Sequence, residues 1–133
     1  MRTLRAPFWL LAAALLAAAC ETTRVGETYT FEEAVRTYAA AEGRKALALA
    51  ADEKGKRAWG AQYGKSLSSQ ERATREALEE CDANARRLGL QAECYLFAVG
   101  SRQSRATLEK CSARRINPKR CALQERYAPL LAP

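Results

Sequence analysis

Four cysteines, Cys81, Cys94, Cys111 and Cys121, set the tightest bound on how this 133-residue chain can fold. They are separated by 12, 16 and 9 residues. That spacing contains no C-x₂₋₄-C pair of the kind structural zinc sites use, and no C-x-x-C redox centre. Histidine is absent from the chain, which removes the commonest metal ligand and the commonest general base. The set therefore reads as two disulfides in an oxidising compartment, with no metal and no cofactor expected. Four cysteines allow three connectivities, and composition alone does not choose among them.

The fifth cysteine, Cys20, stands apart in "ALLAAACETT", at the junction of an apolar run and a polar one. Arg2 and Arg5 precede an apolar segment from Ala6 to Leu16, and Ala17, Ala18 and Ala19 are the small residues a peptidase accepts. The stretch from Ala6 to Cys20 is short of the roughly 20 residues a spanning helix needs. Residues 1–19 are expected to be a signal peptide, and the junction resembles bacterial lipoprotein signal peptides, whose lipobox ends in a cysteine that receives a diacylglycerol. The resemblance implies a lipid anchor on Cys20 and a membrane as partner. With Glu21 following the cysteine, it implies an outer membrane, facing the periplasm. Ala17 stands where the lipobox has a larger apolar residue, so plain cleavage to a soluble periplasmic chain is the alternative.

Residues 20–29 read as a tether, and 30–133 as a single α+β domain, a small antiparallel sheet packed by one main helix plus shorter helices. Thr30 and Glu33 form a capping box, after which Phe31, Ala34, Val35 and Tyr38 share a helical face as far as Gly43. "KALALAAD" alternates leucines against alanines, "DEKGK" turns, and "RAWGAQYG" returns as a strand. In it Trp59, Ala61 and Tyr63 share one face, while Gly60 and Gly64 leave room for a close approach on the other. Ser68 and Glu71 form a second capping box, before a helix carrying Ala73, Ala77, Leu78, Cys81, Ala85 and Leu88 up to Gly89. "AECYLFAVG" is apolar on both faces and reads as a central strand. Ser101 or Ser104 caps a shorter helix with Leu108 and Cys111, "INPK" turns, and "RCALQERYAPLL" reads as a last strand or extended segment.

"REALEEC" (75–81) and "RATLEKC" (105–111) form a weak internal repeat, each followed by a basic stretch and a second cysteine. A repeat would favour the local pairs Cys81–Cys94 and Cys111–Cys121. The crossed pairings, which would tie the tail to the main body, stay open.

No constellation for catalysis emerges. Glu76, Glu79, Glu80 and Asp82 fall on one predicted helix among arginines and read as a solvated face. The serines have no histidine partner, and the glycines lack phosphate-loop spacing. Trp59, Tyr63, Tyr95 and Phe97 read as core, with a stacking platform as the less favoured use. Charge is the one asymmetry. Residues 21–100 carry 12 basic and 13 acidic side chains, net −1, whereas 101–133 carry 8 and 2, net +6. Arg102, Arg105, Lys110, Arg114, Arg115, Lys119, Arg120 and Arg126 are candidate anion-binding residues for a glycan or lipid headgroup. Without aromatic or base-reading groups beyond Tyr127, no specific nucleic-acid binding is expected.

The segment from Ala58 to Gly100, "AWGAQYGKSLSSQERATREALEECDANARRLGLQAECYLFAVG", resembles a family of small exported bacterial domains of unknown function. The likeness rests on Trp59, Gly60, Gly64, Ser68, Ala77, Leu78, Cys81 and Cys94. It implies an α+β fold with Cys81 bonded to Cys94, and it brings no activity with it. The sequence thus points to a non-catalytic envelope lipoprotein, an interaction or structural module with an envelope protein or glycan as partner, or to a soluble periplasmic or secreted binder of anionic ligands (glycan, lipid headgroup or nucleic acid) through its basic tail.

Overall fold

The computed structural model describes residues 30–131. The expected signal peptide, the expected lipidation at Cys20 and the expected tether lie outside the described residues. Helix α1 (Phe31–Ala40) leads into strands β1 (Arg44–Ala51) and β2 (Arg57–Gly64), then helix α2 (Gln70–Arg87). Strands β3 (Tyr95–Val99) and β4 (Arg102–Gln103) follow, then helices α3 (Arg105–Ser112) and α4 (Pro118–Tyr127) and a 3₁₀ turn at Ala128–Leu130. The sheet is antiparallel in the order β2-β1-β3-β4. The expected α+β class holds, but helices cover both faces of the sheet: α2 on one, α1 and α4 on the other.

The alternation of β1 makes these two faces. Leu47, Leu49 and Ala51 join Phe31, Val35, Tyr38, Phe97, Leu123 and Tyr127 on one side. Phe31 sits at the centre of that cluster, with ring centroids 5.7 Å from Trp59, 5.2 Å from Phe97 and 5.3 Å from Tyr127. Ala46, Ala48 and Ala50 turn the other way, onto Ala73, Ala77, Cys81 and Ala85 of α2. Side chains this small let the helix settle close to the sheet. A Cβ at Gly60 would collide with the backbone of Ala77 and Cys81, so the close approach expected there is made by α2 itself. Cys81 and Cys94 then bond this helix to the chain entering β3.

Local signals explain most element ends. The Thr30–Glu33 capping box forms, with Glu33 N–H donating to Thr30 Oγ1 at 3.2 Å and Thr30 N–H to Glu33 Oε2 at 2.8 Å. The second expected box does not form. Ser69, one residue later, caps α2 by accepting from Arg72 N–H at 3.0 Å, while the Leu67 and Ser68 carbonyls accept from Arg44 Nη1. Gly89 ends α2 with φ +65°, and Leu90 N–H donates back to the Ala85 carbonyl at 2.8 Å. Ser104 rather than Ser101 caps α3.

The last expected strand is a helix instead. Asn117 accepts from Lys119 N–H at 2.8 Å, and Pro118 occupies the first turn of α4. The buried positions are Arg120, Leu123, Gln124 and Tyr127, a helical spacing. Two of these four are polar, which hid the period from a reading of apolar residues. The 75–81 and 105–111 segments are both helical, but the likeness stops there: Cys94 precedes a strand, whereas Cys121 lies within α4. The locally paired disulfides, Cys81–Cys94 and Cys111–Cys121, are both present.

Candidate functional site

The basic residues divide into two kinds. Arg102, Arg105, Lys110, Arg114, Arg115, Lys119 and Arg126 are exposed. They do not make one face. Arg105 and Lys110 are five positions apart on α3, about 140° round the helix. Arg105 pairs with Glu109 at 3.3 Å, Lys110 lies 5.2 Å over the Tyr95 ring, and Arg126 lies 5.3 Å over Tyr127. Arg114 closes α3 in the left-handed region at φ 55°, which puts Arg115 N–H on the Lys110 carbonyl at 2.9 Å.

Arg120 does not belong with this surface group, and its place there is corrected: it is 1% exposed. Its Nε donates to the Leu49 carbonyl at 3.0 Å, Nη1 to Gln124 Oε1 at 3.0 Å and Nη2 to the Tyr95 carbonyl at 3.4 Å. Gln124 passes the connection on, donating to the Phe97 carbonyl at 2.8 Å and to Gln103 Oε1 at 3.0 Å. The physical reason is an irregular sheet. Leu47 faces Ala98 but Ala48 faces Leu96, so Phe97 is an extra residue in β3 relative to β1, and its carbonyl accepts from Ser104 N–H at 3.0 Å. Arg120 and Gln124, one helical turn apart on α4, supply further donors to the Leu49, Tyr95 and Phe97 carbonyls at this irregularity.

Beyond Tyr95 the two central strands part. The carbonyls of Lys45 and Leu49 both point toward β3. By the alternation of a strand the backbone of Ala51 points the same way. Strand β3 begins only at Tyr95, so within the sheet nothing described pairs with Ala51 on that side. The fork opens into a cleft of ≈ 470 Å³. One wall runs from Ala51 to Lys54, a second comes from the segment leading into β3, and a third is Arg115, Ile116 and Asn117. Arg120 stands at the apex.

The charges around the fork are arranged unevenly. Asp52 is occupied by its own turn, accepting from Lys54 and Lys56 N–H at 3.0 and 2.9 Å. Glu93 accepts from the Tyr95 hydroxyl at 2.7 Å, a bond that raises the Tyr95 pKa. Among the described residues no carboxylate pairs with Arg120. Burial pushes its pKa down to about 10, which still leaves it charged at neutral pH. A second buried cation, Lys45, has a different setting. It donates to the carbonyls of Tyr38, Ala39 and Ala41 at 3.0, 3.2 and 2.8 Å, closing the end of α1.

The other expectations fall as follows. Phe97 is buried, Trp59 and Tyr95 are half-buried and Tyr63 is 45% exposed, so these aromatics do not form a single platform. Glu79 and Asp82 lie exposed on α2, as the solvated-face reading has it, whereas Glu76 is half-buried and the Glu80 carboxylate lies against β2, accepting from Gln62 Nε2 at 2.9 Å. Among the described residues no group of three acidic or cysteine side chains could hold a metal ion, and no helix is long and apolar enough to cross a membrane. Lys45, Gln124 and the buried role of Arg120 escaped the sequence reading. The available signal was the spacing of 120, 123, 124 and 127. No family model, no curated protein and no solved structure matches the chain.

Proposed function

We propose that this chain is a non-catalytic interaction domain of the bacterial envelope, exported by residues 1–19 and tethered by a lipid on Cys20. The observation that carries the reading is the cysteine count. Two disulfides use Cys81, Cys94, Cys111 and Cys121, and leave Cys20 as the one cysteine without a partner in the folded domain. An odd thiol at the end of an apolar run behind small residues suits acylation. Two or three acyl chains hold a protein to a membrane where one alone does so only marginally. The disulfides themselves suit an oxidising compartment.

The test is the intact mass of the protein from membrane and soluble fractions, with and without reductant. A diacylated or triacylated N-terminal Cys20 in the membrane fraction, with a gain of four hydrogens on reduction of the two disulfides, is the expected result. A soluble chain cleaved before Cys20 and carrying no lipid overturns it.

The seven exposed basic residues support a second reading, a binder of anionic glycans or headgroups. Arg105 alone among them has a carboxylate partner among the described residues. Retention on vesicles containing anionic lipid should then fall with salt. Changing Arg102, Arg114 and Lys119 together to glutamine should abolish it, and unaltered retention would remove this reading.

A further inference from the structure

We propose that the fork between β1 and β3 is a binding slot for the carboxyl terminus of a short extended peptide. Three independent features converge on it. The first is a main-chain template. Ala51 presents an N–H and a carbonyl toward a missing neighbour, the arrangement an added strand uses. On the opposite wall Gln91 and Glu93 belong to chain outside the sheet, and the ≈ 470 Å³ between the walls falls in the range of small-ligand sites.

The second feature is the charge at the apex. Arg120 is enclosed by protein and bonded to neutral acceptors, with no carboxylate beside it. A cation held among low-dielectric surroundings directs its field into the open side, which is the cleft. Arg120 is 1% exposed, so a carboxylate in the cleft meets this charge through its field, with Arg115 as the cation it can touch. The third feature is the mouth. Arg115 and Lys54 support an anionic end, whereas Asp52, Glu53 and Glu93 disfavour a polyanion such as phosphate. One carboxylate on an otherwise neutral backbone fits this distribution. The inference stands apart from the Cys20 anchor, and of the seven exposed basic residues of the tail it uses only Arg115.

The experiment titrates the isotope-labelled, disulfide-intact chain with acetyl-alanyl-alanine, its carboxamide and inorganic phosphate, followed by NMR. The free acid should produce saturable shifts at the Arg120 Nε–H and the Ala51 and Gln91 amides. The carboxamide should bind at least about tenfold more weakly, one power of ten in affinity. Gln91→Trp, which fills the mouth from an exposed position, should abolish the acid's shifts while leaving the thermal midpoint unchanged. Equal affinity for acid and carboxamide overturns the proposal. So does phosphate moving the same signals as strongly, or shifts confined to exposed residues such as Arg102 and Lys119. Binding that survives Gln91→Trp with the fold intact overturns it too.

Discussion

The two faces of the sheet are packed by opposite means. On the α2 face the contact is built from alanine and glycine, and backbone approaches backbone. On the α1/α4 face, Phe31, Trp59, Phe97 and Tyr127 fill a deeper space, and a buried arginine and glutamine thread through it. The first face gains its fit from the absence of side chains and is fastened by a disulfide. The second gains it from bulk, and its irregular strand is completed by side-chain hydrogen bonds. Small residues specify distance but little else, whereas the mixed core specifies how α4 lies on the strands. The candidate site is accordingly on the second face.

The contrast can be broken most sharply at Gly60. Gly60→Val forces two methyl groups into the α2 backbone, and overpacking of this kind costs about 1–3 kcal/mol or more. With no flexible neighbour to yield, the chain should lose its cooperative thermal transition. A transition near the parent midpoint would show that α2 can move away. Next in size is the fastening itself. Replacing Cys81 and Cys94 together by alanine should lower stability by about 3 kcal/mol, from the closure entropy of a loop of this length. Denaturant midpoints measure it, and the same double change at Cys111 and Cys121 should cost a similar amount while leaving the α2 face intact.

On the other face, Arg120→Met keeps volume but strands Gln124 Oε1 and removes a donor from the Leu49 and Tyr95 carbonyls. An unsatisfied buried polar group costs about 1–3 kcal/mol, and relief from burying a charge offsets part of that. A net loss of about 2 kcal/mol is expected by urea unfolding. A neutral result would show that water serves those carbonyls as well as the guanidinium does.

A smaller effect separates the faces by pH. Glu80, at the border of β2, has its pKa raised chiefly by burial, against hydrogen bonds from Gln62 and Ala61 that lower it. The folded chain therefore holds this proton more tightly than the unfolded one. The stabilisation is present below the unfolded pKa and is lost as pH rises through the folded one. Relative to the parent, Glu80→Gln should grow more stable as pH is raised from about 4 to 7. Parallel thermal-midpoint profiles would contradict this assignment. The smallest expected change is a gain: Arg114→Gly relieves a left-handed residue at the end of α3 and should add up to about 1 kcal/mol, read by the same denaturant titration.

These differences also explain what the sequence could show. The alanine face was legible because β1 alternates strictly and α2 repeats its alanines at helical spacing, so Ala48, Gly60 and Ala77 announce their positions. The capping residue of α2 was missed by one place, since Ser68 and Ser69 offer the same hydroxyl. The α4 face was harder to read. Its period runs through Arg120 and Gln124, residue types that ordinarily face water, and the carbonyls they bond lie where β3 carries an extra residue and starts late. A charge count assigned Arg120 to the surface; only the position of Leu49 and Tyr95 in three dimensions assigns it to the interior. The fork was invisible for the same reason, being a gap between segments far apart along the chain.

Helix α2 also reaches over the outer border of the sheet. Asn84 Nδ2 donates to the Trp59 carbonyl at 2.8 Å, and Glu80 accepts from Gln62 Nε2 at 2.9 Å. The Trp59 carbonyl is a main-chain group of the kind by which an edge strand recruits another chain. A copy of this protein drawing alongside β2 finds that carbonyl taken and meets a carboxylate from its neighbour against its own. Where many copies are crowded together, the outer strand is a poor template, and growth of a shared sheet from one molecule to the next is discouraged at that border.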